Sequence, residues 1–75
     1  MKGSPERPIE ELALTTRAID ALKKAGIENF GQFLDRLSGG NEAVLAIAGF
    51  GQASLTAAKK KLRSLGYDIP AAAAQ

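Results

Sequence analysis

Residues 48–62 read AGFGQASLTAAKKKL, and this stretch decides how the chain is read. Gly49 and Gly51 flank Phe50, a helical pattern starts at once, and it ends in Lys59, Lys60 and Lys61. Glycine enters left-handed backbone conformations without strain and lets the backbone approach a ligand closely. A helix that starts directly after such a turn presents unpaired N–H groups and the positive end of its dipole. Glycines ahead of a helix N-terminus therefore fit either a tight helix connection or a phosphate cradle. Phe50 is expected to point inward and pin the turn to the core. Ser54, in the first helical turn, can bring a hydroxyl to a phosphate.

Working outward, the last helix runs from about Gln52 to Leu65, with Leu55, Ala58, Leu62 and Leu65 on one face. Gly66 ends it, and Ile69-Pro70 and Ala71 to Gln75 read as a frayed tail, since a short polyalanine run forms too few hydrogen bonds to be helical alone. Upstream, Pro8 starts a short turn over Ile9 to Leu12. Leu14-Thr15-Thr16 opens a helix that runs to Ala25, with a threonine as N-cap. Ala18, Ile19, Leu22 and Ala25 share one face of it; Arg17, Asp20 and Lys24 lie on another. Gly26 closes this helix. Asn29 caps a second helix carrying Phe30, Phe33, Leu34 and Leu37; Ser38-Gly39-Gly40 breaks the chain. Asn41 is expected to cap a third helix, Glu42 to about Ala48. At a spacing of 40, Thr16, Ala18, Leu22, Lys23, Gly26 and Ile27 echo Thr56, Ala58, Leu62, Arg63, Gly66 and Tyr67. Two ordinary capped helices or a true duplication both explain the echo.

The sequence has 75 residues, enough for one domain that buries about 60% of the surface its unfolded form exposes. The expected division is a flexible lead-in over 1–7, the domain over 8–70 and a disordered tail over 71–75. With no cysteine and no histidine, disulfides, thiolate zinc sites and imidazole acid–base chemistry are excluded. Glu10 and Glu11 are adjacent and diverge on a helix, and no nucleophile–base pair is visible, so no enzyme activity is expected. No cofactor, metal or small-molecule substrate site is expected, and no membrane-spanning run is present. Net charge is only +2, but its distribution is uneven. Residues 43–67 hold Lys59, Lys60, Lys61 and Arg63 and no acid. Successive helical residues point about 100° apart, so the three lysines cannot share one face.

The segment IAGFGQASLTAAKKKL resembles the second half of a helix–hairpin–helix nucleic-acid-binding element. With RPIEELALTTRAIDALKKAGI and FGQFLDRL, most of the sequence is similar to the C-terminal domain of the bacterial RNA polymerase α subunit. The resemblance implies an all-α, four- to five-helix, cytoplasmic bacterial domain, either excised from a subunit or freestanding. It implies A·T-rich minor-groove DNA as a partner, together with RNA polymerase, sigma factor or activators. It places the DNA contacts at Arg17, Gly51 and Ser54. An arginine suits the enhanced negative potential of a narrow A·T groove. Ser38-Gly39-Gly40 looks like a small insertion against the family pattern, and two single positions also depart from it. Asp20 stands where asparagine is usual, where it can pair with Arg17 and repel phosphate. Ala53 stands where lysine is usual. A protein–protein interaction module that kept the fold and lost DNA affinity is the alternative.

Overall fold

The computed structural model describes residues 6–73. They form an opening 3-10 turn (Ile9–Leu12), α1 (Thr16–Lys24), α2 (Phe30–Leu37), α3 (Asn41–Leu45), α4 (Gln52–Ser64) and a closing 3-10 turn (Ala71–Ala73). The fold is all-α. Pro8 and Asn29 form an isolated antiparallel bridge that ties the opening turn to the start of α2. Two backbone bonds reinforce it, Ile9 N–H to Glu28 O at 3.2 Å and Phe30 N–H to Arg7 O at 2.9 Å. Arg7, placed by sequence in a flexible lead-in, is thus held to α2; residues 1–5 lie outside the described part.

The helix boundaries follow from capping chemistry. Thr15 Oγ1 accepts the Ala18 N–H at 3.2 Å, and Asn29 Oδ1 accepts the Gln32 N–H at 2.8 Å. Each satisfies one donor that the helix itself cannot. Gln32 Oε1 in turn accepts from the Glu28 amide at 2.6 Å. At the other ends, Gly26 and Gly66 adopt φ of +85° and +91°. Each is followed by a residue whose N–H reaches back five positions: Ile27 to Leu22 O and Tyr67 to Leu62 O, both at 2.9 Å. These are two equivalent Schellman caps, and they give the echo at a spacing of 40 a structural counterpart.

The third helix differs from expectation. It spans Asn41–Leu45, with Gly40 at φ +104° as its N-cap, and no side chain bonds to that cap. Asn41 is released from capping because its side chain serves another element: Lys59 Nζ donates to Asn41 Oδ1 at 3.1 Å. The helix stops before Ala48 because the backbone tightens, with Ile47 N–H bonding Val44 O at 3.0 Å, so that Ile47 and Phe50 can both enter the core. Arg36 Nε donates to the Ala43 carbonyl at 2.9 Å, satisfying an acceptor left open by the short helix.

Ile9, Leu12, Leu22, Phe30, Phe33, Leu37, Leu55 and Leu62 are fully buried around one core. Phe33 meets Phe50 edge-on with ring centroids 6.0 Å apart, and Phe30 meets Tyr67 at 5.0 Å. The first pair fixes the Gly49–Gly51 turn against α2; the second fixes the segment after α4. The tail also behaves differently from its composition. Ala73 is fully buried, and its carbonyl accepts from Lys59 Nζ at 2.9 Å. A tertiary donor, not helix propensity, orders Ala71–Ala73.

Candidate nucleic-acid interface

The two glycines of the opening stretch play different parts. Gly49 has φ +86°, which side-chain-bearing residues rarely adopt, and a Cβ built on it would lie 3.4 Å from Ala21 Cβ. Its place is set by the turn and by the packing of the turn against α1. Gly51 is extended, at φ −100° and ψ −179°, and a Cβ built there meets nothing within 4 Å. Neither its backbone angles nor its surroundings demand glycine. Gly51 is the N-cap of α4, and no side-chain bond caps this end. The first intrahelical bond runs from Leu55 N–H to Gly51 O at 3.0 Å. The N–H groups of the first turn therefore have no acceptor within the helix, and the dipole adds positive potential there.

The N-terminal ends of α1 and α4 share a recess of about 200 Å³, lined by Ala13, Leu14, Thr15, Ala53, Ser54 and Ala57. Ser54 is half-buried in it, Gly51 is exposed, and Arg17 is exposed on the first turn of α1. The structure thus brings the entry of α1 beside the entry of α4. Ala13, on one wall, holds φ +58°, a conformation uncommon for a residue with a Cβ.

Among the described residues Arg17 takes part in no ion pair, so the expected pairing with Asp20 is not formed. Asp20 is exposed and its charge acts on Lys23. Lys23 pairs with Glu10 across the gap between α1 and the opening turn. The hydrogen bond from Lys23 holds the Glu10 carboxyl below the ordinary carboxylate range, and Glu10 raises Lys23 in turn. Glu11 pairs with Arg7 and raises its pKa, with a further contribution from Tyr67. Glu10 and Glu11 are therefore committed to separate ion pairs.

The lysine run needs a correction. Of the three, only Lys60 is exposed; Lys61 is half-buried, and Lys59 is 5% exposed with its ammonium on Asn41 and Ala73. Lys59 is a structural cation and adds little to the surface field. No local signal marks it, because its partners lie 18 and 14 residues away. Of the exposed cations, Lys24 on α1 and Arg36 on α2 line a recess with Ala48, just before the glycine turn. Arg17, Ala21 and Lys24 follow the i, i+4, i+7 spacing of one helix face, which is legible in sequence. The approach of Arg36 to that face is not. Among the described residues no acidic cluster could hold a metal ion, and no helix is long and apolar enough to cross a membrane.

Comparison with known proteins agrees with this architecture. Residues 2–64 match the family described as the C-terminal domain of the alpha subunit of bacterial RNA polymerase. The sequence is 44% identical over 66 residues to the "DNA-directed RNA polymerase subunit alpha" of Fusobacterium nucleatum, covering 88% of this protein and 19% of that one. Against the protein of the same name from Dehalococcoides mccartyi it is 36% identical over 62 residues, covering 83% and 18%. Against that of Thermotoga petrophila it is 46% identical over 57 residues, covering 76% and 16%. The matched region is less than a fifth of the length of each of these relatives. By its family match and its all-helical architecture, this protein belongs to the family of C-terminal domains of the bacterial RNA polymerase α subunit.

Proposed function

We propose that this domain is a non-enzymatic, transcription-associated module that binds duplex DNA through the shared entry of α1 and α4. Arg17 enters an A·T-rich minor groove. The N–H groups after Gly51 and the Ser54 hydroxyl hold a neighbouring phosphate. Its wider setting is the bacterial cytoplasm, with sigma factor or activators as protein partners beside RNA polymerase; the last is in keeping with the names of its relatives.

The observation that carries this reading is the meeting of two helix entries around one recess, with an exposed arginine on one and an uncapped N-terminus on the other. Gly51 adds support. The fold leaves open space where its side chain would be, which is the condition under which the backbone can approach a phosphate. A specific observation also favours a protein-interaction role: Asp20 is exposed on the same helix as Arg17, and Ala53 puts no charge at the start of α4.

A titration of A·T-rich and G·C-rich duplexes at stepped salt decides between them. DNA binding predicts preference for the A·T duplex and affinity that falls as salt rises from about 50 to about 200 mM. The interaction reading predicts no preference and binding no tighter than about 10⁻⁴ M at physiological salt.

A further inference from the structure

A second recess, of about 230 Å³, lies beside the glycine turn and is lined by Ala21, Lys24, Ala25, Arg36, Ile47 and Ala48. Its walls come from the second half of α1, the end of α2 and the residues just before Gly49. Lys24 and Arg36 are exposed, and neither forms an ion pair among the described residues. Arg36 is also anchored: its Nε is committed to the Ala43 carbonyl at 2.9 Å, and no described bond takes up its terminal amino groups. Three alanines and a buried isoleucine form the remainder of the lining.

This recess and the first lie on either side of the glycine turn in sequence, one lined by Ala48 and the other by Ala53 and Ser54. Lys24 lies seven residues after Arg17, about 10 Å along the axis of α1 and on the same face. Gly49, whose turn leads to Gly51, sits against Ala21 in the floor. Lys24 and Arg36, from two different helices, meet at this one recess, and Lys24 shares its face of α1 with Arg17 and with exposed Asp20.

We infer that Lys24 and Arg36 form a second phosphate clamp, holding the DNA backbone on the far side of the glycine turn from Ser54. The inference rests on the proposed DNA reading and extends its footprint. An acidic protein segment would also be drawn to two cations. The recess, however, offers only a shallow floor of small side chains and no deep apolar socket for an anchoring residue. A sugar-phosphate backbone needs only close approach and charge. The clamp also supplies charge that the start of α4, with Ala53 in its first turn, does not.

The test is the salt dependence of duplex binding for the wild-type protein, Lys24→Ala, Arg36→Gln and the control Lys60→Ala, with folding checked by circular dichroism. Each lost phosphate contact lowers the slope of log K against log salt by about 0.9. Lys24→Ala and Arg36→Gln should each do so, weakening A·T-rich and G·C-rich duplexes alike, while Lys60→Ala keeps the wild-type slope. Lys24 makes no described side-chain bond, so its variant carries the test if Arg36→Gln unfolds. Wild-type A·T preference with an unchanged slope in Lys24→Ala would overturn the clamp and leave the DNA reading intact. Absence of wild-type duplex binding at low salt would overturn both. Binding of poly-glutamate, but not duplex, in a Lys24-dependent manner would reassign the recess to a protein partner and overturn the clamp.

Discussion

Lys59 donates from its ammonium to the backbone carbonyl of Ala73 at 2.9 Å and to Asn41 Oδ1 at 3.1 Å, joining three elements at one buried cation. A hydrogen bond to a charged group contributes roughly 1.5–3 kcal/mol, more than a neutral one. Lys59→Ala removes both bonds and the buried stem, and should cost about 3 kcal/mol of unfolding free energy in urea. Lys59→Met keeps the stem and should recover part of that loss. Amide exchange at Ala73, whose N–H bonds Pro70 O, should be faster in both variants than in the wild type. Wild-type stability in Lys59→Ala would show that the tail contact carries no weight.

Gly26 and Gly51 separate a glycine the fold needs from one it does not. A Cβ at Gly26 meets nothing within 4 Å, so the cost of Gly26→Ala comes from its φ of +85° alone, about 1–2 kcal/mol. Gly51→Ala introduces no clash and no strain, and should leave the stability within about 0.5 kcal/mol of the wild type. It should nevertheless weaken duplex binding, because the methyl group lies between the α4 entry and the phosphate. If Gly51→Ala binds duplex as well as wild type, the close approach at Gly51 is not made.

The pairing of Glu10 with Lys23 gives a pH signature. Glu10 is depressed by its bond from Lys23, so the stabilisation is full above the carboxyl's unfolded pKa and is lost as pH falls through the folded one. Lys23 is raised, so its share is lost only as pH climbs above the ordinary lysine range. Wild type should therefore exceed Glu10→Gln in urea midpoint at neutral pH by a small amount, since the pair is exposed. The gap should close in acid. A gap that persists below the folded pKa of Glu10 would mean the substitution acts through packing.

How far the fold can be read in advance depends on how local its causes are. Thr15, Asn29, Gly26 and Gly66 act within a few residues of themselves, and their caps fall where the sequence places them. The burial of Phe50 follows from an aromatic residue held between turn glycines. Asn41 and Lys59 defeat local reading because they satisfy each other across 18 residues. Once they are paired, a capping residue becomes an acceptor and a basic-run lysine becomes core. Ala71–Ala73 are held for the same reason, by a bond from Lys59 across 14 residues. For the site, the spacing of Arg17 and Lys24 on one face is visible in sequence, whereas the juxtaposition of Ser54 with Thr15 and of Arg36 with Ala48 is tertiary.

Among the described residues no ion pair joins Asp20 to Arg17, so on the proposed DNA reading Asp20 acts by repulsion alone. Asp20→Asn should strengthen duplex binding by on the order of 1 kcal/mol at low salt, and the gain should shrink as salt is added. Fluorescence anisotropy at two ionic strengths measures it. A gain that does not depend on salt would point to a new hydrogen bond from asparagine instead.

On the proposed reading Arg17 reads the groove while the α4 entry holds the backbone. The most direct measurement is the ratio of A·T-rich to G·C-rich duplex affinity in Arg17→Ala beside the wild type at one salt concentration. Arg17 is exposed and unpaired among the described residues, so the variant should fold normally. The ratio should lie well above one for the wild type and collapse to about one in Arg17→Ala, with weak non-specific binding retained. A wild-type ratio that survives intact in Arg17→Ala would contradict this reading.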